Sequence, residues 1–491
     1  MTASQSEPYD LAVVGAGSAG LAGAVTAGEL GLSVALLDAS VHTGGQFYRH
    51  PAPAMGAVRP EALHHDWSAY ADLRRRLAQS DVSHLPGHHV WSVTKDDEAT
   101  GMWAVHAVTG ADGGDERPVR VRARAVLLAT GAYERHLPFP GWTLPGVVAA
   151  GGAQAMLKSG LVLPGRRIVV AGSGPLLLAV ASSLAAAGAR VPAVVEASGY
   201  LRYARHPRAL VTNPHKAVEA LVHGTALLWH RVRLRLRSAV TEVHGADRVE
   251  AVTVARLDRD WRPLPGTGRR IDCDALAVGH GLVPQIELAT ALGCATRSLP
   301  DGTSALALGG LQETTVRGLW AAGEAGGVGG AQLARAEGEL AGVAAAARVL
   351  GRPAHGGRVR ELQRRRDRMR SFADVMAAAH APGPGWSRWL TGDTDVCRCE
   401  EVTAGRIRAA VEDLGARDAR TVKLFTRAGM GWCQGRMCGP AVACLAARDG
   451  AAGLPAERRP FAVPVPLSAL AALDEPAEPE PEPDAVPDVD G

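Results

Sequence analysis

Four cysteines near the end of the sequence have a type and spacing that suit metal binding. One residue separates Cys397 from Cys399, four separate Cys433 from Cys438, and 33 residues lie between the two pairs. Four thiolates can hold a [2Fe-2S] cluster, two on each iron, or one tetrahedral zinc ion. Structural zinc pairs usually enclose two to four residues, so a pair with one intervening residue favours iron over zinc.

The segments around these cysteines are expected to be helical. Thr403 suits the N-cap of a helix that Gly415 can end. A second helix is expected to begin near Pro440, a residue favoured in a first turn, so its N-terminus would face Cys438. The positive end of that helix would stabilise a cluster of thiolates. Glycines beside Cys433 would let backbone N–H groups approach the sulfurs.

A glycine pattern near the start of the chain predicts a dinucleotide site. In "YDLAVVGAGSAGLAGAVTAGELGLSVALLDAS" a buried strand runs into a helix, and a second strand ends at Asp38. Gly15 allows the tight turn, Gly17 lets a pyrophosphate approach the backbone, and Gly20 lets helix and strand pack closely. Asp38, 23 residues after Gly15, can accept hydrogen bonds from ribose hydroxyls.

The same pattern recurs 157 residues later, with Gly172 and Gly174 in place of the first two glycines. Leu177 replaces the third glycine, so this second site is altered. Glu196 ends the second strand and favours NAD or another adenine nucleotide over NADP, although three arginines that follow it weaken that preference. The alternative is a retained fold that holds no dinucleotide.

Further glycine-rich motifs fit contacts to a flavin. "TGGQ" follows the first acid closely, "AVLLATGAYERHLPFPGW" is a strand that runs into a small-residue turn, and "GLWAAGEAGGVGGAQLARAEGELAG" is a strand that leads into a helix. Backbone N–H groups at such turns can approach a cofactor. The candidate residues in these motifs are Gly44, Gly45, Gln46, Thr130, Gly131, Gly323 and Glu324.

Together these motifs resemble the flavoproteins of the glutathione and thioredoxin reductase type, which have two dinucleotide-binding domains. The resemblance implies an α/β fold with FAD on the first unit. The sequence departs from these flavoproteins in two respects. Glu324 stands where an aspartate is usual, so its hydrogen bond to the ribityl chain needs a longer arm. Disulfide reductases need a redox-active cysteine pair beside the flavin, and the isolated Cys273 and Cys294 are interpreted as buried, inert thiols.

The cluster region resembles the bacterioferritin-associated-ferredoxin-like (BFD-like) [2Fe-2S] domain. The full order of motifs resembles the alpha subunits of heteromeric amino-acid dehydrogenases: D-hydroxyproline dehydrogenase alpha subunits, opine oxidase A subunits and the B subunit of hydrogen cyanide synthase. This similarity covers roughly residues 8 to 470. It implies a separate D-amino-acid-oxidase-like flavoprotein, the beta subunit, which oxidises the substrate amine. Further expected partners are a downstream electron acceptor and a small ferredoxin-like gamma subunit.

The resemblance and the composition divide the chain into seven segments. Residues 1–150 and 285–355 are expected to form the two parts of the FAD-binding domain, around a second, NAD-like nucleotide-binding domain over 151–284. A linker with a basic helix follows over 356–394, and the BFD-like domain over 395–450. The chain then ends in a C-terminal extension over 451–473 and a disordered, acidic, proline-rich tail over 474–491.

Charge and hydropathy exclude several classes of function. The arginine-rich run from Arg358 to Arg370 contains no interleaved aromatic residue, so it predicts a solvated helix face and gives no support for nucleic-acid binding. The apolar stretch over 11–37 is interrupted by Glu29 and no lysine or arginine precedes Arg49, which argues against a signal or membrane helix. We therefore expect a cytoplasmic protein, with any membrane association made through partners.

These observations predict an FAD- and [2Fe-2S]-containing electron-transfer subunit of a dehydrogenase or oxidase acting on a C–N bond. One alternative is a self-sufficient NAD(P)H-dependent FAD/iron–sulfur oxidoreductase. Another is a non-catalytic scaffold with zinc in the cysteine site. No histidine or carboxylate stands out as a catalytic base, and His280 is as well explained by packing or by a place at the flavin edge. The family resemblance assigns the substrate to another chain.

Overall fold

The computed structural model describes residues 7–64, 66–97, 100–110, 116–447 and 461–471. The predicted acidic tail over 474–491 and most of the predicted extension before it lie outside these ranges. Within the described ranges, no helix has the length and apolar character needed to cross a membrane. The elements of the fold follow in chain order.

The first unit is built on a mixed sheet with helices against it. Its elements are β1 Tyr9–Val14, α1 Ser18–Glu29, β2 Val34–Asp38, α2 Trp67–Ala78, β3 Val82–Pro86, β4 His89–Asp97, β5 Met102–Thr109 and β6 Arg117–Leu128. The strand order is β3-β2-β1-β6-β5-β4, parallel from β3 to β6 and antiparallel beyond it. The central strand β1 is buried over its last four residues, as a strand covered on both faces requires.

The second unit has its own parallel sheet. Its elements are β7 Ala132–Glu134, β8 Val147–Ala149, α3 Ala150–Gly160, β9 Ile168–Gly172, α4 Leu176–Ala186, β10 Ala193–Glu196, α5 Pro207–Thr212, α6 Pro214–Trp229, β11 Arg233–Leu236, β12 Ser238–His244, β13 Ala251–Arg256, β14 Arg269–Asp272, β15 Ala275–Gly279 and β16 Leu282–Pro284. The parallel order is β11-β10-β9-β15-β8, with an antiparallel β12-β13-β14 sheet beside it. Strands β7 and β16 pair and form the two-stranded connection between the units.

The chain then returns to the first unit. This part contains α7 Glu287–Ala291, β17 Thr296–Ser298, β18 Ser304–Leu306, β19 Leu319–Ala321 and α8 Ala331–Val349. Strand β19 pairs with β6 in parallel and completes the first sheet. Helix α8 packs so tightly on α1 that a Cβ at Gly338 would lie 2.0 Å from the carbonyl oxygen of Ala19. Only glycine permits that separation between the two backbones.

The last elements are mainly helical. They are α9 Gly357–Ala379, β20 Asp395–Cys397, β21 Val402–Thr403, α10 Ala404–Glu412, α11 Ala419–Thr426, α12 Gly439–Ala446 and α13 Leu467–Ala471. Thr403 caps α10 by accepting a hydrogen bond from the N–H of Arg406, as predicted. Helix α12 begins at Gly439 with Pro440 in its first turn, also as predicted. Helix α11 was not predicted, because its eight residues form only about two turns, too few to establish a helical period.

The segment between α9 and β20, expected to be a linker, is packed rather than exposed. Trp386 and Trp389 in its 3₁₀ turn are buried and lie in one apolar core with Val169 of β9 and Ile407 of α10. The rings of Trp389 and Trp261 stack with their centroids 6.0 Å apart. The tryptophans explain the difference, because large aromatic side chains bury area that a proline- and glycine-rich composition does not indicate.

Candidate flavin and iron–sulfur sites

The four clustered cysteines come from two short segments of the last domain. Cys397 ends β20, Cys438 is the N-cap residue of α12, and Cys399 and Cys433 lie in the turns beside them. Their thiols interact as two pairs, Cys397 with Cys438 and Cys399 with Cys433. The first pair is buried, whereas Cys399 is exposed. The structure thus assembles all four predicted ligands into one surface-proximal site.

The paired arrangement bears on which metal the site fits. One tetrahedral zinc would need all four sulfurs around one centre, whereas a [2Fe-2S] cluster takes two sulfurs on each iron. The hydrogen bond between Cys397 and Cys438 lowers the pKa of Cys397 to about 5 and raises the pKa of Cys438, so in this pair Cys397 is the thiolate and Cys438 keeps the proton.

Glycine backbone approaches the sulfurs as the sequence predicted. The N–H of Gly429 donates a hydrogen bond to Sγ of Cys397 at 3.4 Å. A Cβ at Gly431 would lie 2.2 Å from Cβ of Cys399, so a side chain there would displace that cysteine. These contacts give Cys397 a backbone hydrogen bond and place main chain against Cys399, and hydrogen bonds to the sulfurs tune iron–sulfur centres.

The first glycine motif forms a cradle of bare backbone at the start of α1. Gly15 has a φ of +102°, and a Cβ there would lie 2.4 Å from the carbonyl oxygen of Ala129. A Cβ at Gly20 would lie 1.8 Å from the carbonyl oxygen of Gly15. Asp38 accepts hydrogen bonds from the N–H groups of Ala16 and Ser40 and remains partly exposed. This geometry fits a pyrophosphate at the helix N-terminus and a ribose beside Asp38.

The next predicted flavin residues adjoin this cradle. Gly44 donates to the carbonyl of Ala16 at 2.8 Å, and the backbone of Gly45 lies against Gly17. Gln46 follows them in the same turn. The strand end at Thr130–Gly131 is tied to the connection between the units, because the Thr130 hydroxyl donates to the carbonyl of Gln285 at 2.5 Å.

Glu324 caps a turn instead of extending into open space. Its two carboxylate oxygens accept hydrogen bonds from the N–H of Gly329 at 2.7 Å and of Gly330 at 3.0 Å. Burial raises the pKa of this carboxyl. The longer arm that was expected to reach a ribityl chain therefore folds back onto the turn that opens α8. Gly323, beside it, donates to Glu337 at 3.0 Å.

One ion pair near this turn was not predicted from the sequence. Arg370 of α9 pairs with the buried Glu337 of α8 and also donates to the carbonyl of Gly327. The arginine-rich run is therefore only partly a solvated helix face. The sequence does contain a signal that one face of α9 is buried, because Val359, Leu362 and Met369 recur at helical spacing.

A second unpredicted group is Glu134, in the connection between the units. Its Oε1 accepts a hydrogen bond from the N–H of Gly151 at 2.8 Å, in the first turn of α3. Burial is the main cause that raises the pKa of this carboxyl to about 7. His280 is buried against Trp261 and Trp389, and burial lowers its pKa to about 3, so it is a neutral packing residue.

The second glycine motif also has the geometry of a dinucleotide turn. A Cβ at Gly172 would lie 1.7 Å from the carbonyl oxygen of Gly279, the end of the neighbouring strand. Gly174 donates its N–H to Glu196 at 3.0 Å. The structure therefore brings together the three residues predicted for a second nucleotide site. Glu196, however, is completely buried.

A family of oxidoreductases accounts for most of the chain. The family described as pyridine nucleotide-disulphide oxidoreductase matches residues 9–338, which include both glycine motifs. The chain belongs to this oxidoreductase family. The BFD-like [2Fe-2S] binding domain matches residues 396–448, which contain all four clustered cysteines. The oxidoreductase family implies FAD, and the second domain implies a [2Fe-2S] cluster, so these two predicted cofactors agree with the site geometry.

Relatives of this oxidoreductase confirm the predicted subfamily. Hydrogen cyanide synthase subunit HcnB of Pseudomonas aeruginosa is 34% identical over 442 residues, covering 87% of this chain and 90% of the relative. The A subunit of opine oxidase from Rhizobium meliloti is 34% identical over 481 residues, covering 95% and 99%. The crystal structure of L-proline dehydrogenase from P. horikoshii superposes with a TM-score of 0.66 at 20% identity, over 94% of this chain and 79% of that one. This last likeness confirms the fold alone.

Proposed function

We propose that this chain is the FAD- and [2Fe-2S]-containing electron-transfer subunit of a heteromeric enzyme that oxidises an amino or imino acid at its C–N bond. D-Hydroxyproline, an opine or a similar compound is the substrate class. The observation that carries the proposal is the presence of two thiol pairs in the same chain as a flavin cradle. The names of two relatives, which are subunits of hydrogen cyanide synthase and of opine oxidase, support the reaction class.

The chain supplies one candidate site for each of the two groups. Flavins exchange one or two electrons and [2Fe-2S] clusters exchange one, so together they divide a two-electron oxidation into single steps. The cradle at Gly15, Gly17 and Gly20 would hold the FAD pyrophosphate, and Asp38 its ribose. Cys397, Cys399, Cys433 and Cys438 would hold the [2Fe-2S] cluster.

Catalysis of the C–N oxidation is assigned to a partner. The candidate partner is a D-amino-acid-oxidase-like flavoprotein beta subunit. An optional third chain is a small ferredoxin-like gamma subunit, and a separate electron acceptor lies downstream. We propose that the assembly works in the cytoplasm, where clustered thiols remain reduced. The exposure of Cys399 supports transfer to another protein, because it brings one cluster ligand to the surface.

The proposal is tested by measuring the metal content, the flavin content and the reduction of the flavin by an electron donor. The chain purified under argon is expected to contain about two iron and two acid-labile sulfide per molecule, as a single [2Fe-2S] cluster requires, together with one FAD. The flavin absorbance should bleach when a partner co-purified from the source organism and a substrate amine are both added. Zinc without sulfide would exclude the relay, and bleaching by the amine without the partner would place substrate oxidation on this chain.

A second candidate is a self-sufficient NAD(P)H-dependent oxidoreductase. The observation that favours it is the meeting of Gly172, Gly174 and Glu196 at a dinucleotide-type turn. Under anaerobic conditions NADH should bleach the flavin of the purified chain within the mixing time if this candidate is correct. A flavin that stays oxidised with NADH, and is reduced only with partner and amine, supports the electron-transfer role.

A further inference from the structure

The crevice of the second nucleotide unit is filled by a residue of the chain itself. Helix α9 ends at Ala379, and the next residue, His380, lies over the loop between β9 and α4. Its Nδ1 is 3.4 Å from Oε1 of Glu196 and 3.4 Å from Oγ of Ser173. Its Nε2 is 3.1 Å from the hydroxyl of Tyr203. The imidazole is thereby held on both ring nitrogens and is 8% exposed.

The backbone of the same segment is held as firmly as the ring. The Ser173 hydroxyl donates to the carbonyl of His380 at 3.2 Å, and Arg202 donates to the carbonyl of Ala379 at 3.3 Å. We name residues 379–383 the strap. Ser173 belongs to the glycine turn and Arg202 follows the second acid, so the strap is bound by the two loops that border a dinucleotide in this type of fold.

The far end of the strap is anchored to the antiparallel sheet. A Cβ at Gly383 would lie 2.6 Å from the carbonyl oxygen of Asp260, and Gly385 donates its N–H to the same oxygen at 2.7 Å. Trp389, a few residues on, donates its ring N–H to the carbonyl of Trp261 at 3.0 Å. The strap therefore runs between two fixed points, α9 and the Asp260 turn.

In each unit an acid ends the second strand, Asp38 in the first and Glu196 in the second. These two acids differ in their surroundings. Asp38 accepts two backbone hydrogen bonds and keeps part of its surface in solvent. Glu196 also accepts two backbone hydrogen bonds, from Gly174 and Ser198, but His380 lies against it and its exposure is 0%. In a dinucleotide site this acid accepts hydrogen bonds from ribose hydroxyls. At Glu196 the imidazole lies 3.4 Å from one of the carboxylate oxygens that a ribose would need.

We propose that the strap is the built-in occupant of the second nucleotide crevice, with His380 in the place of an adenosine ribose. The second unit then keeps its fold without binding free NAD(H), NADP(H) or ADP, and electrons enter and leave this chain only through its flavin and its cluster. A free nucleotide must first displace the strap, so its apparent affinity falls by the fraction of molecules in which the strap is open.

The test is nucleotide binding by the full FAD-loaded chain, measured by isothermal titration calorimetry with NAD⁺ and with ADP. The loaded flavin blocks the first site, so heat would report the second. We expect no saturable binding to the unaltered chain up to about 1 mM nucleotide. His380→Ala should create binding that is at least about tenfold tighter than this limit, because it removes the ring from Glu196.

Matched variants make the result specific to the crevice. His355→Ala removes an exposed histidine just before the start of α9 and should leave binding undetectable. The double variant Glu196→Gln, His380→Ala should lose the nucleotide binding gained by His380→Ala alone, because an amide is a weaker acceptor for the ribose hydroxyls than a carboxylate. If His380→Ala does not accumulate as folded protein, Tyr203→Phe removes only the hydroxyl bonded to the ring and should give a smaller gain.

Flavin content and melting temperature verify the fold of each variant. Micromolar binding of NAD⁺ or ADP to the unaltered chain would overturn the proposal. So would a folded His380→Ala variant, or a folded Tyr203→Phe variant in its place, with no binding. Neither result bears on the electron-transfer role, which depends on iron, sulfide and partner-dependent reduction of the flavin.

Discussion

The backbone N–H of Gly429 points at the sulfur of Cys397 from 3.4 Å. A hydrogen bond to a ligand sulfur stabilises the more negative, reduced cluster and therefore raises its reduction potential. Gly429 has a φ of +87°, which an alanine adopts only with strain. Gly429→Ala should displace this N–H and lower the potential by on the order of 40 mV, the one-electron equivalent of a hydrogen bond of about 1 kcal/mol.

Redox titration followed by electron paramagnetic resonance measures that shift. Gly439→Ala is the control, because a Cβ at Gly439 meets no other atom within 4 Å and its φ is not in the left-handed region. An unchanged potential in a Gly429→Ala variant with full iron content would show that this hydrogen bond does not tune the cluster.

Removing one sulfur of a pair should empty the iron site. Cys433→Ser leaves Cys399 without its partner, so we expect the loss of most iron and sulfide and of the visible absorption of the cluster. The flavin spectrum should persist, because the FAD cradle belongs to another domain. Cys444→Ser is the control, since Cys444 lies on α12 outside the two pairs and packs against the core. Equal iron loss in both variants would contradict the ligand assignment.

Gly20 lies so close to the carbonyl of Gly15 that a single added methyl group should strongly reduce FAD binding. Gly20→Ala places a Cβ 1.8 Å from the carbonyl oxygen of Gly15, so the turn must open and FAD content should fall by at least about tenfold, the equivalent of 1.4 kcal/mol. Gly224→Ala in α6 is the matched control, because its Cβ meets open space and helix propensity alone should favour alanine by up to about 1 kcal/mol. Flavin fluorescence released by heating quantifies the FAD in both. Full occupancy in Gly20→Ala would mean that the cradle does not hold the cofactor.

Glu324 is expected to stabilise the start of α8 through its carboxylate. Glu324→Ala leaves the N–H groups of Gly329 and Gly330 without their acceptor, at a cost of about 2 kcal/mol. Glu324→Gln retains one acceptor oxygen and should be about 1 kcal/mol less damaging. Thermal unfolding of the FAD-loaded variants measures the difference. Melting temperatures of both variants equal to that of the unaltered chain would show that the cap contributes nothing.

The raised pKa of Glu134 predicts that the stability of the fold depends on pH. Its pKa rises to about 7 on folding, from an ordinary value of 4.5. The folded state therefore binds this proton more tightly than the unfolded state, and the associated stability is full below about pH 4.5 and is lost as the pH rises to about 7. The loss is at most about 3 kcal/mol.

Melting temperatures at pH 5 and pH 8 test this assignment. Glu134→Gln should melt higher than the unaltered chain at pH 8 and near it at pH 5. Glu412→Gln, which changes an exposed carboxyl of α10, should show no such difference. A pH dependence that is the same with and without Glu134 would remove this carboxyl as its origin.

The sequence predicted the parts of the sites whose chemistry depends on local pattern. Glycines 15, 17 and 20 act through the turn they form, and Asp38 through its place at a strand end, so spacing alone indicated them. Spacing also indicated the four clustered cysteines as candidate ligands. Thr403 and Pro440 were identified because capping preferences are local.

Two of the contacts that the sequence did not indicate join distant segments. Glu337 meets Arg370 across α8 and α9, and His380 reaches back to Glu196 at the end of β10. Such pairs depend on tertiary packing, and neither partner has a local pattern that names the other. The arginine run illustrates the limit, because helical spacing indicated a buried face but not which arginine would turn inward.

The common core of the second nucleotide unit and the cysteine domain has a consequence for how the protein opens. Val169, Trp261, Trp389 and Ile407 belong to one continuous apolar cluster, so neither domain can unfold without exposing the other. Loss of the metal should then destabilise strands of the second nucleotide unit, which contain no cysteine ligand. The expected signs are faster amide exchange and new protease cleavage in those strands. A fragment that begins at Asp395 would lose much of its packing surface and is a poor candidate for an autonomous ferredoxin.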